Sequence, residues 1–358
     1  VDIVTHGLAS LAVARGFFPR AGKAAMASVV IVGTVADIDW LSNYFGPSAF
    51  LSWHGAYTHS VAIAALISLF LPVILFLAIF WGGLGIDIVL PKGQVKPDDL
   101  RAVRNLALRN VIIGVFTAPF CAALLHIAMD ACQSDGVALF WPFSSRRFAA
   151  DWLPRIDPWI LTILIVAITL PELFHLVGSE IGAKAKKPRG QTGAIIGLAL
   201  VLVYVGARAT LHSNVIALME SRTFHGETAR RASAFPESLS PLTWHGVVET
   251  ETALNQLDVD AASPNTFDPD ASFRLFKPEA SPALDAARNT TAARRFLATA
   301  QIPKASLEKT ETGYLVVLRD LRYAASGETQ REIAAVMKLD ASNKVISQEL
   351  VWARDLHR

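Results

Sequence analysis

Four histidines and three aspartates stand where they could hold a metal ion: His6, His54, His59 and His126 with Asp37, Asp39 and Asp130. They come from four separate stretches, and each lies at the edge of an apolar run. His126 and Asp130 are i and i+4, so on one helix both side chains reach a single ion. Asp37 and Asp39 are i and i+2 and point apart on a regular helix. One of them is therefore a ligand, and the other turns in where the helix ends or supports a ligand. Mixed imidazole and carboxylate ligation suits Zn²⁺ first, with Mn²⁺ or Fe²⁺ as alternatives, better than Mg²⁺ or Ca²⁺. More than four candidates allow one or two ions, bridged by a carboxylate such as Asp130.

Electrostatics points the same way. Asp37, Asp39 and Asp130 are expected at helix C-termini, where the macrodipole is already negative. Carboxylates at a bilayer boundary are costly unless a cation balances them. No Lys or Arg occurs from residue 24 to residue 91. Arg146 and Arg147 are the obvious cationic alternatives to a metal. Taken singly, each feature has a plainer reading. A lone intramembrane His is usually a hydrogen-bonded core residue, as expected for His175 and His212. Thr58 could cap a helix, Asp135-Gly136 reads as a turn, and Arg146 with Arg147 could anchor the chain at the interface. His225, His245 and His357 lack any partner spacing.

The elements that must position these residues are apolar helices. The chain has 358 residues, 52% of them hydrophobic, and a mean hydropathy of +0.38. The excess lies in residues 1–212. After an opening helix over about 3–17, apolar segments cover 24–36, 59–81, 108–130, 158–178 and 192–212, several near the ~20 residues a membrane helix needs. Pro72, Pro119 and Pro171 fall inside them, which membrane helices tolerate. The opening stretch has Asp2 and His6 where a signal peptide's basic region would stand, so it reads as part of the mature chain. Two cysteines, Cys121 and Cys132, cannot build a disulfide framework or a Cys-rich zinc site. A net charge of +2 argues against a nucleic-acid partner.

Basic residues set the orientation. Twelve Lys and Arg fall in one set of loops: Arg15, Arg20 and Lys23; Lys92, Lys96, Arg101, Arg104 and Arg109; Lys184, Lys186, Lys187 and Arg189. The opposite loops, 37–57 and 131–157, hold three: Arg146, Arg147 and Arg155. The first set is thus expected in the cytoplasm, with the candidate ligands and residues 213–358 outside. Beyond residue 212 the chain becomes polar. Strands are expected over 243–252, 313–323, 331–340 and 344–353, one helix over 281–300 capped by Ser281, and a loop over 259–271. The fold class expected is a multi-span α-helical membrane domain (1–212) followed by a small α+β soluble domain (213–358) with a mainly antiparallel sheet.

The motifs resemble those of the YdjM-like family, described as inner-membrane-associated metal-dependent hydrolases. The resemblance rests on Thr5-His6-Gly7, Asp37-Ile38-Asp39, His54 and Thr58-His59-Ser60, and His126 and Asp130 followed by Gly136 and Pro142-Phe143, and it covers about residues 1–150. The family commonly has Arg after the first His of the third motif; Gly55 stands there here. The order of ligands is more distantly similar to the zinc-dependent phospholipase C and single-strand nuclease group. That likeness implies His6, Asp39, His59, His126 and Asp130 as ligands, with His54 and Asp37 beside them. The further His and Glu ligands of that group have no counterpart in this chain.

Together these features predict a metal-dependent hydrolase in a bacterial inner membrane, its site facing the extracytoplasmic side. Its partners would be the lipid bilayer and a lipid or lipid-phosphate substrate. Of Asp37 and Asp39, the one that does not bind metal takes the proton of the attacking water, and Arg146 with Arg147 holds a phosphate. The alternatives are a transporter, which usually shows repeated halves, and a scaffold whose helices a metal staples.

Overall fold

Asp2 starts the first helix by accepting hydrogen bonds from the backbone of Val4 and Thr5, so α1 (Ile3–Phe17) begins one turn before His6. The computed structural model describes residues 1–19, 23–81, 109, 112–180, 190–263, 266–323 and 332–356. After α1 come α2 (Lys23–Val32), a 3₁₀ helix (Val35–Phe45), α3 (Pro47–Trp53) and α4 (Val61–Trp81). A π turn (Ile113–Thr117) leads into α5 (Ala118–Ala131), followed by α6 (Pro158–Glu180) and α7 (Gln191–Glu220). The π turn precedes Pro119, whose missing N–H cannot close an ordinary helical hydrogen bond. Asp157 caps α6 through Trp159 and Ile160, at 3.0 Å each.

Small residues bring the helices close. Ala9 and Ala12 of α1 pack with Met129 of α5, Ile160 and Leu164 of α6 and Ala194 of α7. At Gly33, just past α2, an added Cβ would lie 2.0 Å from Ser10 Oγ. Only glycine allows α1 so near.

Among the described residues, two helical stretches are long and apolar enough to cross a bilayer, Ala25–Phe45 and Gln191–Glu220. Four other apolar helical stretches, Ile3–Phe17, Val61–Leu75, Ala118–Ala131 and Pro158–Phe174, are shorter. Nine of the twelve basic residues that set the expected orientation, among them Lys92 and Lys184, lie outside the described residues, as does His357.

The chain forms two compact units. One comprises Val1–Asp39 and Gly55–Ala207; the other comprises Trp40–His54 and Arg208–Arg358. The last apolar segment, expected to end near 212, continues as helix to Glu220. Its Val215 and Met219 are buried with Phe224, Trp244 and Val259 in the core of the second unit, and that burial extends the helix past its apolar run.

The second unit is β-rich. A hairpin of β1 (Thr223–Phe224) and β2 (Glu227–Thr228) precedes an antiparallel sheet of β3 (Arg231–Pro236), β4 (Thr243–Glu249), β5 (Ala253–Asp260) and β6 (Phe273–Phe276). A second antiparallel sheet, in the order β10-β9-β8-β7, joins β7 (Pro303–Thr310), β8 (Gly313–Asp320), β9 (Ile333–Asp340) and β10 (Val345–Trp352). Four of these strands, β4, β8, β9 and β10, fall within the stretches expected from alternation; β3, β5, β6 and β7 were not expected. The single helix expected over 281–300 is in fact two, α8 (Pro282–Arg288) and α9 (Thr291–Leu297). Ser281 caps the first by accepting from Leu284, and Thr290 starts the second by accepting from Ala293. The segment 40–54 joins this unit through α3: the Phe50 ring lies 5.6 Å from that of Trp352, and Arg295 donates to Ser48 at 3.0 Å.

Because the Thr290 hydroxyl holds the start of α9, Thr290→Ala should cost about 1 kcal/mol. Hydrogen exchange over 291–297 in the full chain should speed up, and unchanged protection there would remove Thr290 from this role.

Candidate metal centre

Asp130, in the last turn of α5, is the point on which the other groups converge. Its Oδ1 accepts from Gln133 Nε2 at 2.6 Å and from the Val1 nitrogen, and it lies 3.0 Å from His6 Nε2. Its Oδ2 lies 3.0 Å from His59 Nε2 and 3.2 Å from His126 Nε2. The His6 and His126 rings stack with centroids 3.8 Å apart. His6, His59, His126 and Asp130 are all buried.

The tautomers follow from the outer partners. His126 Nδ1 is 2.8 Å from the Gly33 carbonyl, which can only accept, so Nδ1 carries the proton and Nε2 keeps its lone pair. His59 Nδ1 is 3.0 Å from Asp39 Oδ2 and its Nε2 is 3.0 Å from Asp130 Oδ2, so carboxylates flank both nitrogens and Nε2 carries either a proton or a metal ion. These two Nε2 atoms face each other at 3.1 Å. A proton on His59 Nε2 or a metal ion beside both atoms accounts for that approach, since two bare lone pairs there would repel.

Asp37 completes the group, with Oδ1 at 3.8 Å from His126 Nε2. One ligand atom from each of His6, Asp37, His126 and Asp130 lies within 4.8 Å of the others, close enough to share one ion. Two further observations test the fit. Asp37 Oδ2 and His6 Nδ1 are buried and have no hydrogen-bond partner among the described residues. A buried carboxylate oxygen without a donor is costly, and a divalent cation removes that cost. The donor set, imidazole with carboxylate, suits zinc, manganese or iron; it does not choose among them.

The remaining predicted residues divide. Asp39 stands behind His59: its Oδ2 accepts from Gly55 N at 2.9 Å and Thr58 Oγ1 at 3.0 Å as well as holding the His59 ring. This is the carboxylate–histidine arrangement that orients a metal ligand. Thr58 therefore serves Asp39, and Ser60 caps α4 by accepting from Ile63 at 3.2 Å. His54 belongs to the second unit, its ring stacked on Phe50 with centroids 4.6 Å apart. Arg146 is exposed, its guanidinium 5.6 Å from the centre of the Phe148 ring. Sequence reasoning missed Gln133, although its i+3 spacing from Asp130 was a signal. It also missed Gly33, whose carbonyl carries none.

Apolar helices closing on a buried cluster of imidazoles and carboxylates define a helical protein with a candidate metal centre. The chain belongs to the family described as YdjM inner membrane protein, which it matches over residues 1–215. Residues 282–357, which hold α8, α9 and the second sheet, match the YfhP C-terminal alpha/beta plait domain. No curated protein and no solved structure matches the chain.

If Asp39 fixes the His59 ring, Asp39→Asn should weaken metal affinity roughly 10–100-fold while the helices remain folded. Equilibrium dialysis against zinc would check this beside His54→Ala, which is expected to bind as wild type. Equal affinities for Asp39→Asn and wild type would show that Asp39 has no such role.

Proposed function

We propose that this protein is a multi-spanning, membrane-bound, metal-dependent hydrolase that acts on a phosphoester or lipid-linked phosphate at the membrane surface. The reading rests first on His6, Asp37, His126 and Asp130, whose ligand atoms lie within 4.8 Å of one another, with His59 Nε2 3.0 Å from Asp130, a set that a divalent ion would satisfy. Zinc fits this set best, with manganese or iron as alternatives, and one or two ions are accommodated. A multi-span arrangement is supported by large apolar side chains that face outward from several helices: Leu69, Phe70 and Ile74 of α4, Leu173 and Phe174 of α6, and Leu202 and Val203 of α7. Exposed apolar side chains in such number are suited to cover by lipid. The count of basic residues supports an extracytoplasmic side for both the site and the second unit.

A divalent ion held there supplies the charge that activates water and polarises a phosphoryl group. The chain's own residues supply the rest. His6, His126 and Asp130 hold the ion, and His59, fixed by Asp39, closes the set. Asp37 turns Oδ1 toward the cluster, and its buried Oδ2 has no hydrogen-bond partner among the described residues, so this carboxylate would take the proton of the attacking water.

Burial of His6, His126 and Asp130 also favours a rival, a metal staple that holds short helices together, since closed sites are commonly structural. Turnover separates the two. Elemental analysis of purified wild-type protein should find a stoichiometric transition metal that His126→Ala, Asp130→Ala loses. Wild type should also cleave phosphodiester or lipid-phosphate substrates in a metal-dependent way, while Asp37→Asn keeps the metal and loses at least about 100-fold in kcat. A wild-type preparation free of metal would end the reading; metal bound with no turnover on any phosphoester would leave the staple.

A further inference from the structure

Two adjacent arginines follow Pro142-Phe143, and they take different surroundings: Arg147 lies against Gly55 and Arg146 over Phe148. Val137 and Phe148 form an antiparallel bridge, with Val137 N to Phe148 O at 3.0 Å and Phe148 N to Val137 O at 2.9 Å. In extended backbone, successive side chains point to opposite sides. Arg146 and Phe148 share one side, where the guanidinium of the exposed Arg146 lies over the ring. Arg147 takes the other side and is half-buried.

Arg147 reaches Gly55. A Cβ on Gly55 would lie 2.9 Å from Arg147 Nη1 and 2.8 Å from the Gly136 carbonyl oxygen, and Gly55 has φ of +66°. Any other residue there would be strained and would displace the guanidinium. Gly55 is also the residue whose N–H holds Asp39 at 2.9 Å, and whose carbonyl accepts from Ala138 at 2.9 Å. The guanidinium is thus one residue's backbone away from the carboxylate that orients His59. Its own backbone is tied to the chain that leaves α5, since Ala150 N donates to Ala131 O and Trp152 N to Cys132 O, both at 2.9 Å. A fork of five donors can keep its protein contacts and still offer N–H groups to an anion.

We infer that Arg147, seated over Gly55, is the cation that binds the phosphoryl group of the substrate beside the metal centre, and that Arg146 is not. This deepens the hydrolase reading and rests on it for the identity of the anion. A phosphoryl group suits the guanidinium because the fork matches two of its oxygens, and the cation offsets the repulsion that the carboxylates of the site would exert on the anion.

The test measures binding of radiolabelled inorganic phosphate, and separately of a short-chain phosphatidic acid, to the full chain in neutral detergent, with metal content read on the same samples. Arg147→Ala should weaken binding about tenfold or more with metal content unchanged, while Arg146→Ala stays within about twofold of wild type. The tighter of the two probes in wild type identifies a free phosphate or a lipid headgroup as the source. Should Arg147→Ala fail to fold, Arg147→Lys and Arg146→Lys make the same comparison, because lysine keeps the charge and loses the fork. Only Arg147→Lys should then bind several-fold more weakly. Equal losses at both positions, loss of the metal in Arg147→Ala, or a metal-replete wild type that binds neither probe would overturn the assignment. A metal-free wild type would instead count against the hydrolase reading; phosphate binding in it that still depends on Arg147 would sustain the present inference, and phosphate binding indifferent to Arg147 would overturn that too.

Discussion

A carboxylate buried among imidazoles is the constraint on which the first unit is organised. Asp130 gathers side chains from three other places in the chain: His6 from α1, His59 from the turn before α4 and Gln133 from just beyond α5. Taking such a group out of water costs several kcal/mol unless partners replace the lost solvation. The partners must therefore arrive together, and the helices that carry them must pack closely. Small residues make this packing possible. Gly33 brings α1 within reach of the turn after α2, and the carbonyl at that turn sets the proton on His126.

Local rules and long-range chemistry meet at the same atoms. The 3₁₀ helix after α2 places Asp37 and Asp39 on different duties, one in the cluster and one behind His59. The i, i+2 spacing that separates two side chains on a regular helix is what allows this division. The turn from Gly55 to Ser60 then binds Asp39 twice more, through a backbone N–H and a hydroxyl. Each imidazole that faces the centre has an outer partner that fixes its ring, apart from His6, whose Nδ1 has no partner among the described residues. A centre built this way is preorganised by its supports.

Much of the candidate site was legible because its residues are chemically out of place. His and Asp at the edges of apolar runs, with no Lys or Arg within 24–91, stand out against their surroundings. Which aspartate meets which histidine was not legible. Asp39 was expected as a ligand and Asp37 as the group that takes the water's proton; 3₁₀ geometry and the closure of the 55–60 turn put Asp37 in the cluster and Asp39 behind His59, and no spacing rule encodes either. Gly55 in sequence looks like a missing cation; in space it is the gap through which Arg147 enters. In the second unit, strands with clear alternation were found. β7, with the largely exposed pattern of PKASLEKT, and β6, only four residues long, carry too little periodicity to show. The break between α8 and α9 rests on Thr290, one cap within an otherwise helix-favouring run.

The excursion of residues 40–54 bears on how the chain can be divided. The backbone leaves the first unit after Asp39, folds with the plait, and returns at Gly55. No single cleavage can therefore yield two whole units, for a cut near residue 207 strands α3 without the Trp352 and Arg295 it rests on. The two units are interleaved in sequence although each is compact in space. A protease nick within the helical stretch 40–54 and a truncation at the end of α7 would both injure the second unit. Arg295 and Trp352, on which α3 rests, are also synthesised well after the segment between Asp39 and Gly55.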